Sequence, residues 1–422
     1  MNSPAARRCD VAIVGGGMVG ASLALALAGT RHNVVLIEAL APGSAAQPSF
    51  DDRSTALGNG ARQILRTLGV WDEIAAAAAP IREIHVSDAG HFGFARLNAA
   101  EHELAAFGYV VGNRQLGAAL WRALSGCPQI ELRSPASVSA LTISPEWAQL
   151  TVHSGQAQPG AHDGNGNDAG GGALLQARLV VAADGAHSLV KQAAGIDSSA
   201  SDYQQVAVVA NIRTDRSARG IAFERFTASG PLALLPLADG AYTVVWTLPP
   251  ELARAMCECG AGEFIRALQR SFGWRAGQLR EVGRRASYPL SLVRAQDVTA
   301  GRVALIGNAA QALHPVAAQG FNLGLRDAAT LSELIATADD PGAPAVLARF
   351  AQRREADRGG MIAFTDQLVK LFSARRGAAI AARNIGLLLF DLSAPAKRAL
   401  SRLSWGFGGA LPRLSRGLPL PR

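Results

Sequence analysis

Two groups of residues, near opposite ends of the chain, have types and spacings that could do chemistry. The later group is residues 301–328, GRVALIGNAAQALHPVAAQGFNLGLRDA. Positions 302–306 read as a buried strand. A turn at Gly307 and Asn308 follows, then a bend at His314 and Pro315, then a loop that opens a helix near Gly320. Free backbone N–H groups point out of a helix start, so this order suits an electron-rich ring or an anion. Asn308 offers a sugar alcohol both a donor and an acceptor. The backbone around Gly320 and Asn322 could hydrogen-bond the polar edge of a ring, and the helix dipole would stabilise negative charge there. Taken without the surrounding pattern, His314 reads as a packed loop histidine.

The earlier group is Gly15, Gly17 and Gly20 in a GxGxxG pattern. In such a loop the first glycine permits the tight turn, the second lets a pyrophosphate approach the backbone, and the third lets helix and strand pack closely. Glu38 follows 18 residues after Gly20 at the end of an apolar run, where a carboxylate can accept from ribose hydroxyls. A third element, RLVVAADGAHS at 178–188, ends an apolar strand in Asp184 and Gly185. A carboxylate there needs partners. A pyrophosphate-bearing ligand is one explanation, and a plain Asp-Gly turn is the other. Half-sites so far apart in sequence suggest one long cofactor gripped at both ends.

These residues need elements to position them. Residues 10–14 and 33–38 read as strands flanking an Ala/Leu helix at 21–28, the βαβ opening of a doubly wound sheet. Helices are expected at 62–68 and 115–125. Residues 138–143 and 149–153 read as a hairpin returning through 174–183, with a Gly-rich polar loop at 154–172 inserted in it. From 206 to 288 apolar and polar residues alternate in runs such as 242–248, which suggests an antiparallel sheet with one helix at 263–271. After Gly320 the chain is mostly helical. The fold class expected is α/β. A Rossmann-like doubly wound sheet (1–80, 110–200 and 290–340) is interleaved with an antiparallel-sheet substrate domain (81–109 and 201–289), and a helical C-terminal region (341–422) follows.

The 422 residues are enough for a substantial core, and 49% hydrophobic with 18% charged content is globular. No apolar run reaches the ~18 residues of a membrane-spanning helix, and the N-terminus has no apolar signal core. Cys9, Cys127, Cys257 and Cys259 form no metal-ligand pattern and read as reduced thiols. The net charge of +8 is scattered until the C-terminal tail, with no nucleic-acid module. It suits either ordinary solubility or weak attraction to an anionic membrane surface.

Together the glycine fingerprint, the internal Asp-Gly and the late Gly-Asn turn resemble the class A FAD-dependent aromatic hydroxylases, in the expected order and over nearly the whole chain. The resemblance narrows to the UbiH-type ubiquinone-biosynthesis hydroxylases. SFDDRSTAL at 49–57 is similar to their D-x-R-x-x-A-L segment. GVWD at 69–72, HVSDAG at 85–90 and the TDQLVKLF and RNIGLLLFDLSAPAKR stretches within 365–398 are similar to theirs as well. The broad family has Gly-Asp and then Ala-Ala-His in its late motif, where this chain has Gly307-Asn308-Ala309-Ala310-Gln311. UbiH-type members share that GNAAQ reading, so Asn308 marks a subgroup. Its amide is nearly isosteric with the carboxylate that holds the ribityl chain.

The resemblance implies a bound FAD, with NAD(P)H and O2 as co-substrates and a flavin C4a-hydroperoxide as oxidant. It implies hydroxylation of a 2-polyprenyl-6-methoxyphenol to the 1,4-benzoquinol. It assigns FAD contacts to Gly15, Gly17, Gly20, Glu38, Arg53, Arg114, Asp184 and Asn308, with backbone contacts around Gly320 and Asn322. Arg53 and Arg114 would neutralise phosphate or flavin-side charge, though by residue type alone surface ion pairing explains them too. No catalytic base is identified; His314 is a candidate only by its place in the motif. Two other readings are hydroxylation at another ring carbon in the same pathway, or a weakly active flavin-binding structural subunit of the biosynthetic assembly. Partners expected are a polyprenylated phenol and other ubiquinone-biosynthesis proteins, with no nucleic acid. The location expected is cytoplasmic and peripheral to the inner face of the membrane, reached through the mixed apolar and basic tail at 383–422.

Overall fold

A computed structural model describes residues 6–41, 43–44, 53–155, 172–312, 319–373, 384, 386, 391, 393 and 411–421. His314, most of the Gly-rich insertion at 154–172, and nearly all of the tail at 383–410 lie outside the described residues.

The first strand, Arg7–Val14, has a fully apolar end (Val11–Val14) that is buried throughout, as a strand covered on both faces must be. It pairs in parallel with Val34–Ile37 on one side and with Ala173–Ala182 on the other. Val303–Leu305 joins beyond Ala173–Ala182, and Ile130–Arg133 joins beyond Val34–Ile37, both in parallel. Thr299–Ala300 closes one edge antiparallel. Ala136–Ile143 and Ala148–Ser154 form the expected hairpin, which pairs antiparallel with Ala173–Ala182. Helix Met18–Leu27 packs on this sheet beside helices Asn113–Ser125 and Gln319–Ala336.

The second large sheet runs Gln311–Ala312, Leu279–Ala295, Ser198–Thr214, Tyr242–Leu248, Gly230–Pro236, Ile221–Thr227, Glu83–Asp88 and Phe94–Asn98. All neighbours are antiparallel except Ile221–Thr227 with Glu83–Asp88. Strand alternation splits this sheet cleanly. One face sends Val208, Leu232, Leu234, Val244 and Trp246 into a core closed by Phe264, Leu268 and Phe272 of helix Ala261–Phe272. The other face carries small and apolar residues and looks back toward the parallel sheet. A third, three-stranded sheet of Ser54–Gly58, Gly108–Gly112 and Ala79–Ile81 sits between the two.

Several strands run across the boundaries expected from sequence. Ser198–Thr214 and Leu279–Ala295 straddle positions 200 and 290, and Gln311–Ala312 joins the second sheet from within the segment assigned to the first. The small middle sheet and the helix Pro250–Glu258 were not foreseen. Helix 263–271 extends over Ala261–Phe272, and 62–68 over Asn59–Thr67. Among the described residues no helix is long and apolar enough to cross a membrane.

Candidate active site

Four sequence-predicted residues come together because of strand order. Asn308, Asp184, Gly15 and Glu38 follow the C-terminal ends of Val303–Leu305, Ala173–Ala182, Arg7–Val14 and Val34–Ile37, which are consecutive neighbours in the sheet. Neighbouring strands lie about 4.8 Å apart, so the row spans roughly 14 Å. Backbone bonds tie the ends together. Gly15 N donates to Ile37 O at 2.8 Å, Ala183 N to Val14 O at 2.8 Å, and Ile306 N to Ala182 O at 3.0 Å. Crevices outside the carboxyl ends of parallel strands are where such sheets take elongated cofactors.

The glycine loop is built as its spacing required. Gly15 adopts φ +102°, and a Cβ there would lie 2.5 Å from Ala183 O. A Cβ on Gly20 would lie 2.0 Å from Gly15 O. Gly17 is the N-cap of helix Met18–Leu27, with no side-chain cap and no acidic residue in the first turn. A helix start without an acidic residue suits an anion. Glu38 is buried. Its Oε2 accepts from Gly16 N at 2.6 Å and its Oε1 from Leu40 N at 2.9 Å. A carboxylate at this strand end has the acceptor chemistry that a ribose hydroxyl needs. Trp121 Nε1 donates to Gly16 O at 3.1 Å and fixes the loop from the far side.

Asp184 Oδ2 accepts from Leu189 N at 3.1 Å, while its Oδ1 is buried with no hydrogen-bond partner. Burial raises its carboxyl above the ordinary range, against the lowering pull of Ser188 and nearby backbone amides. A buried acceptor without a donor marks a place where a ligand donor fits. The helix start without a side-chain cap, the buried Glu38 carboxylate and this orphaned oxygen form a polar set that suits a dinucleotide such as FAD.

Gly15, Gly17, Glu38, Arg53, Asp184, Asn308 and Gly320 all line one cavity of about 990 Å³. That is at the top of the ~300–1,000 Å³ range of small-molecule sites, so a cofactor and a substrate can share it. Arg53 lies over the Tyr288 ring at 4.5 Å from its centroid, which brings the guanidinium into the cavity wall rather than onto the outer surface. Arg114 is elsewhere: it is exposed, beside Glu73 and Arg122 in a separate depression of about 250 Å³. Its neighbour Asn113 lines the main cavity and accepts from Thr55 Oγ1 at 2.7 Å. Asn322 is outside the cavity lining. Its amide donates to Ala56 O and accepts from Gly58 N, both at 2.8 Å, and so holds the strand that follows Arg53. Gly20 packs under the loop and does not line the cavity.

Behind the late motif is a buried polar network that sequence reasoning did not foresee. Asp327 accepts from Gly307 N at 3.1 Å, Gln311 Nε2 at 2.7 Å and Arg354 Nε at 2.7 Å. Gln311 Oε1 accepts in turn from Arg358 Nε at 2.5 Å. An amide can donate to the acid and accept from the base at once. Gln311, read only as a subgroup marker, is thus the link that holds the Gly307-Asn308 turn to two helices.

The other half of the cavity is the small-residue face of the antiparallel sheet. Glu224, Ala233, Val245 and Val209 form one cross-strand row, and Ala222, Leu235 and Thr243 the next. Glu224 was missed. It is the charged residue in an otherwise apolar patch of wall, and burial alone pushes its carboxyl up to about 7. Its signal in the sequence was parity: in Ile221–Thr227 it shares a face with Ala222, while Phe223 and Arg225 take the other.

Comparison with known proteins gives the family and the fold. A family profile described as "FAD binding domain" matches residues 8–365. The chain is 38% identical over 418 residues to "Ubiquinone hydroxylase UbiL" of Rhodospirillum rubrum, covering 97% of this chain and 93% of that one. It is 32% identical over 405 residues to "3-demethoxyubiquinol 3-hydroxylase" of Escherichia coli, covering 94% and 98%. Among solved structures it is similar to p-nitrophenol 4-monooxygenase PnpA from Pseudomonas putida, with TM-score 0.76 at 20% identity, covering 95% and 99%. That last likeness is one of fold.

Proposed function

The chain belongs to the FAD-binding-domain family, among the ubiquinone hydroxylases, and on that premise we propose that it hydroxylates a 2-polyprenyl-6-methoxyphenol to the 1,4-benzoquinol. It is an FAD-dependent monooxygenase that consumes O2 and NAD(P)H. The observation that carries the substrate reading is the single cavity joining the strand-end row to an apolar, small-residue sheet face. A methoxyphenol ring needs a flat apolar wall, and its prenyl tail needs an apolar exit.

Bound FAD supplies the oxygen-activating redox chemistry, which no side chain of the cavity could provide. The residues of the chain do the rest. The backbone at Gly15 and Gly17 and the start of helix Met18–Leu27 receive the pyrophosphate. Glu38 receives a ribose. Asn308 receives the ribityl hydroxyls, and Asp184 Oδ1 accepts from a cofactor donor. Arg53, held against Tyr288, places positive charge in the wall. Ala207, Val209, Ala233 and Val245 exclude water from the ring, which matters because water diverts reactive oxygen from the substrate. We place the enzyme at the inner face of the membrane, where a polyprenyl tail resides, in contact with other enzymes of the pathway.

A second reading has support in one relative's name: the Escherichia coli protein is described as acting at ring position 3. Deleting the gene and extracting the lipids separates the two. Accumulation of the 2-polyprenyl-6-methoxyphenol itself, still without an oxygen para to its hydroxyl, supports the reading above. Accumulation of a demethoxy quinol assigns the later carbon instead.

A further inference from the structure

We propose that Glu224 receives the phenol hydroxyl of the substrate and takes its proton, a role that rests on the hydroxylase reading above. Three described carboxylates line the cavity. Glu38 and Asp184 stand at strand ends of the parallel sheet and accept backbone amides. Glu224 stands on the antiparallel sheet, away from that row, and among the described residues no hydrogen bond or ion pair engages it. On one side its cross-strand neighbour is Ala233, followed by Val245 and Val209; on the other it is Val86.

A carboxylate with no donor in an apolar wall costs free energy, so folding alone does not explain it. Its burial brings its proton affinity close to neutrality, where a general base works best. The described surroundings fit few occupants. A metal ion needs several oxygen or nitrogen ligands, and no group of three such residues occurs among the described residues. A cationic ligand would meet Arg53 in the same cavity. A neutral aromatic ring bearing one hydroxyl matches one acceptor in a flat apolar wall.

The proton step balances within the known reaction. The phenol O–H bond breaks and its proton passes to a Glu224 oxygen. The electron pair left on the phenolate oxygen enriches the ortho and para carbons, which the oxidant then attacks. The ring carbon afterwards loses its own hydrogen as a proton and aromaticity returns. O2 and NAD(P)H supply the oxidising equivalent and the electrons. Among the described residues, Asp88 is the charged group that shares the face of Val86 on the neighbouring strand, two positions along. His85 lies against Phe223 and Glu83 on the opposite face, Arg225 donates to Ser271 O, and Asp88 accepts from Asn384. Across the cavity the charged or titratable groups are Arg53 and Tyr288, with Glu38 and Asp184 at the cofactor end.

The test uses holoenzyme with 2-farnesyl-6-methoxyphenol and, for binding alone, the O-methyl ether of the same compound. In wild type, kcat/KM should rise with pH through neutrality as the carboxylate becomes available. Glu224→Gln should lower it by about 10²- to 10⁴-fold and remove that rise, with FAD content unchanged. Glu224→Asp should keep the rise at an intermediate rate. Wild type should bind the phenol more tightly than the ether, and Glu224→Leu, which offers no acceptor, should bind both alike. Equal kcat/KM and the same pH profile in Glu224→Gln would overturn the proposal. If that variant does not fold, equal binding of phenol and ether by wild type overturns it. Absence of turnover in wild type counts against the hydroxylase reading instead, and the binding comparison still decides the role of Glu224.

Discussion

Gly17 and Gly20 share one turn but do different work, and substitution should separate them. Gly17 has φ −61° and ψ 174°, a conformation that any residue adopts, and it faces the cavity. Gly17→Val should therefore fold and purify nearly free of FAD, judged by the flavin absorbance per chain; normal occupancy would move the cofactor elsewhere. Gly20 has no room at all, since its Cβ would stand 2.0 Å from Gly15 O. Gly20→Val should lower stability by about 3 kcal/mol or more in urea unfolding, beyond ordinary overpacking. Glu224 gives a prediction of opposite sign. Its folded carboxyl is raised from 4.5 to about 7. Its contribution is therefore full below the unfolded value and is lost as pH rises through about 7. Glu224→Gln should thus gain stability relative to wild type between pH 5 and pH 8, by up to roughly 3 kcal/mol. A difference that does not change with pH would contradict the assigned environment. The glycines and Glu38 were legible because backbone geometry demands those residue types at that spacing. Glu224 was not, because a single acid in an alternating strand shows its facing only once the sheet's parity is known.

At the scale of elements, the late turn is held from behind. Helix Gln319–Ala336 supplies Asp327, and helix Pro344–Ser373 supplies Arg354 and Arg358, on either side of Gln311. Removing one member leaves buried charge unmatched. Asp327→Ala should cost about 3–5 kcal/mol and loosen FAD retention together, because Gly307 N loses its acceptor. A loss of stability with unchanged FAD affinity would show that this network does not position the cofactor turn. The βαβ opening and the hairpin were legible from apolar runs and their periods. The middle sheet of Ser54–Gly58, Gly108–Gly112 and Ala79–Ile81 was not, since three short strands far apart in sequence carry too little periodicity to announce a pairing. The same holds for Gln311–Ala312, two residues that leave the parallel-sheet segment to extend the other sheet.

At the scale of the molecule, the two sheets meet around one space, with the cofactor row on one side and the apolar wall on the other. Segments alternate between the sheets along the chain, so neither forms from a continuous stretch. The order of motifs disclosed that interleaving, but strand continuity across positions 200 and 290 did not show in composition. A shared cavity predicts linkage. Added FAD should raise the unfolding temperature in a concentration-dependent way, by about 2.7 kcal/mol of stability at one hundred times Kd. Prenylphenol should add to that shift in the holoenzyme, and an absent second shift would place the substrate outside the cavity. The central claim is tested most directly by product analysis. Purified holoenzyme is given 2-farnesyl-6-methoxyphenol, NADPH and isotopically heavy O2, and the ring product is identified. The account predicts a 1,4-benzoquinol carrying one heavy oxygen para to the original hydroxyl. NADPH oxidation with an unaltered phenol, or an incorporated oxygen that comes from water, would contradict it.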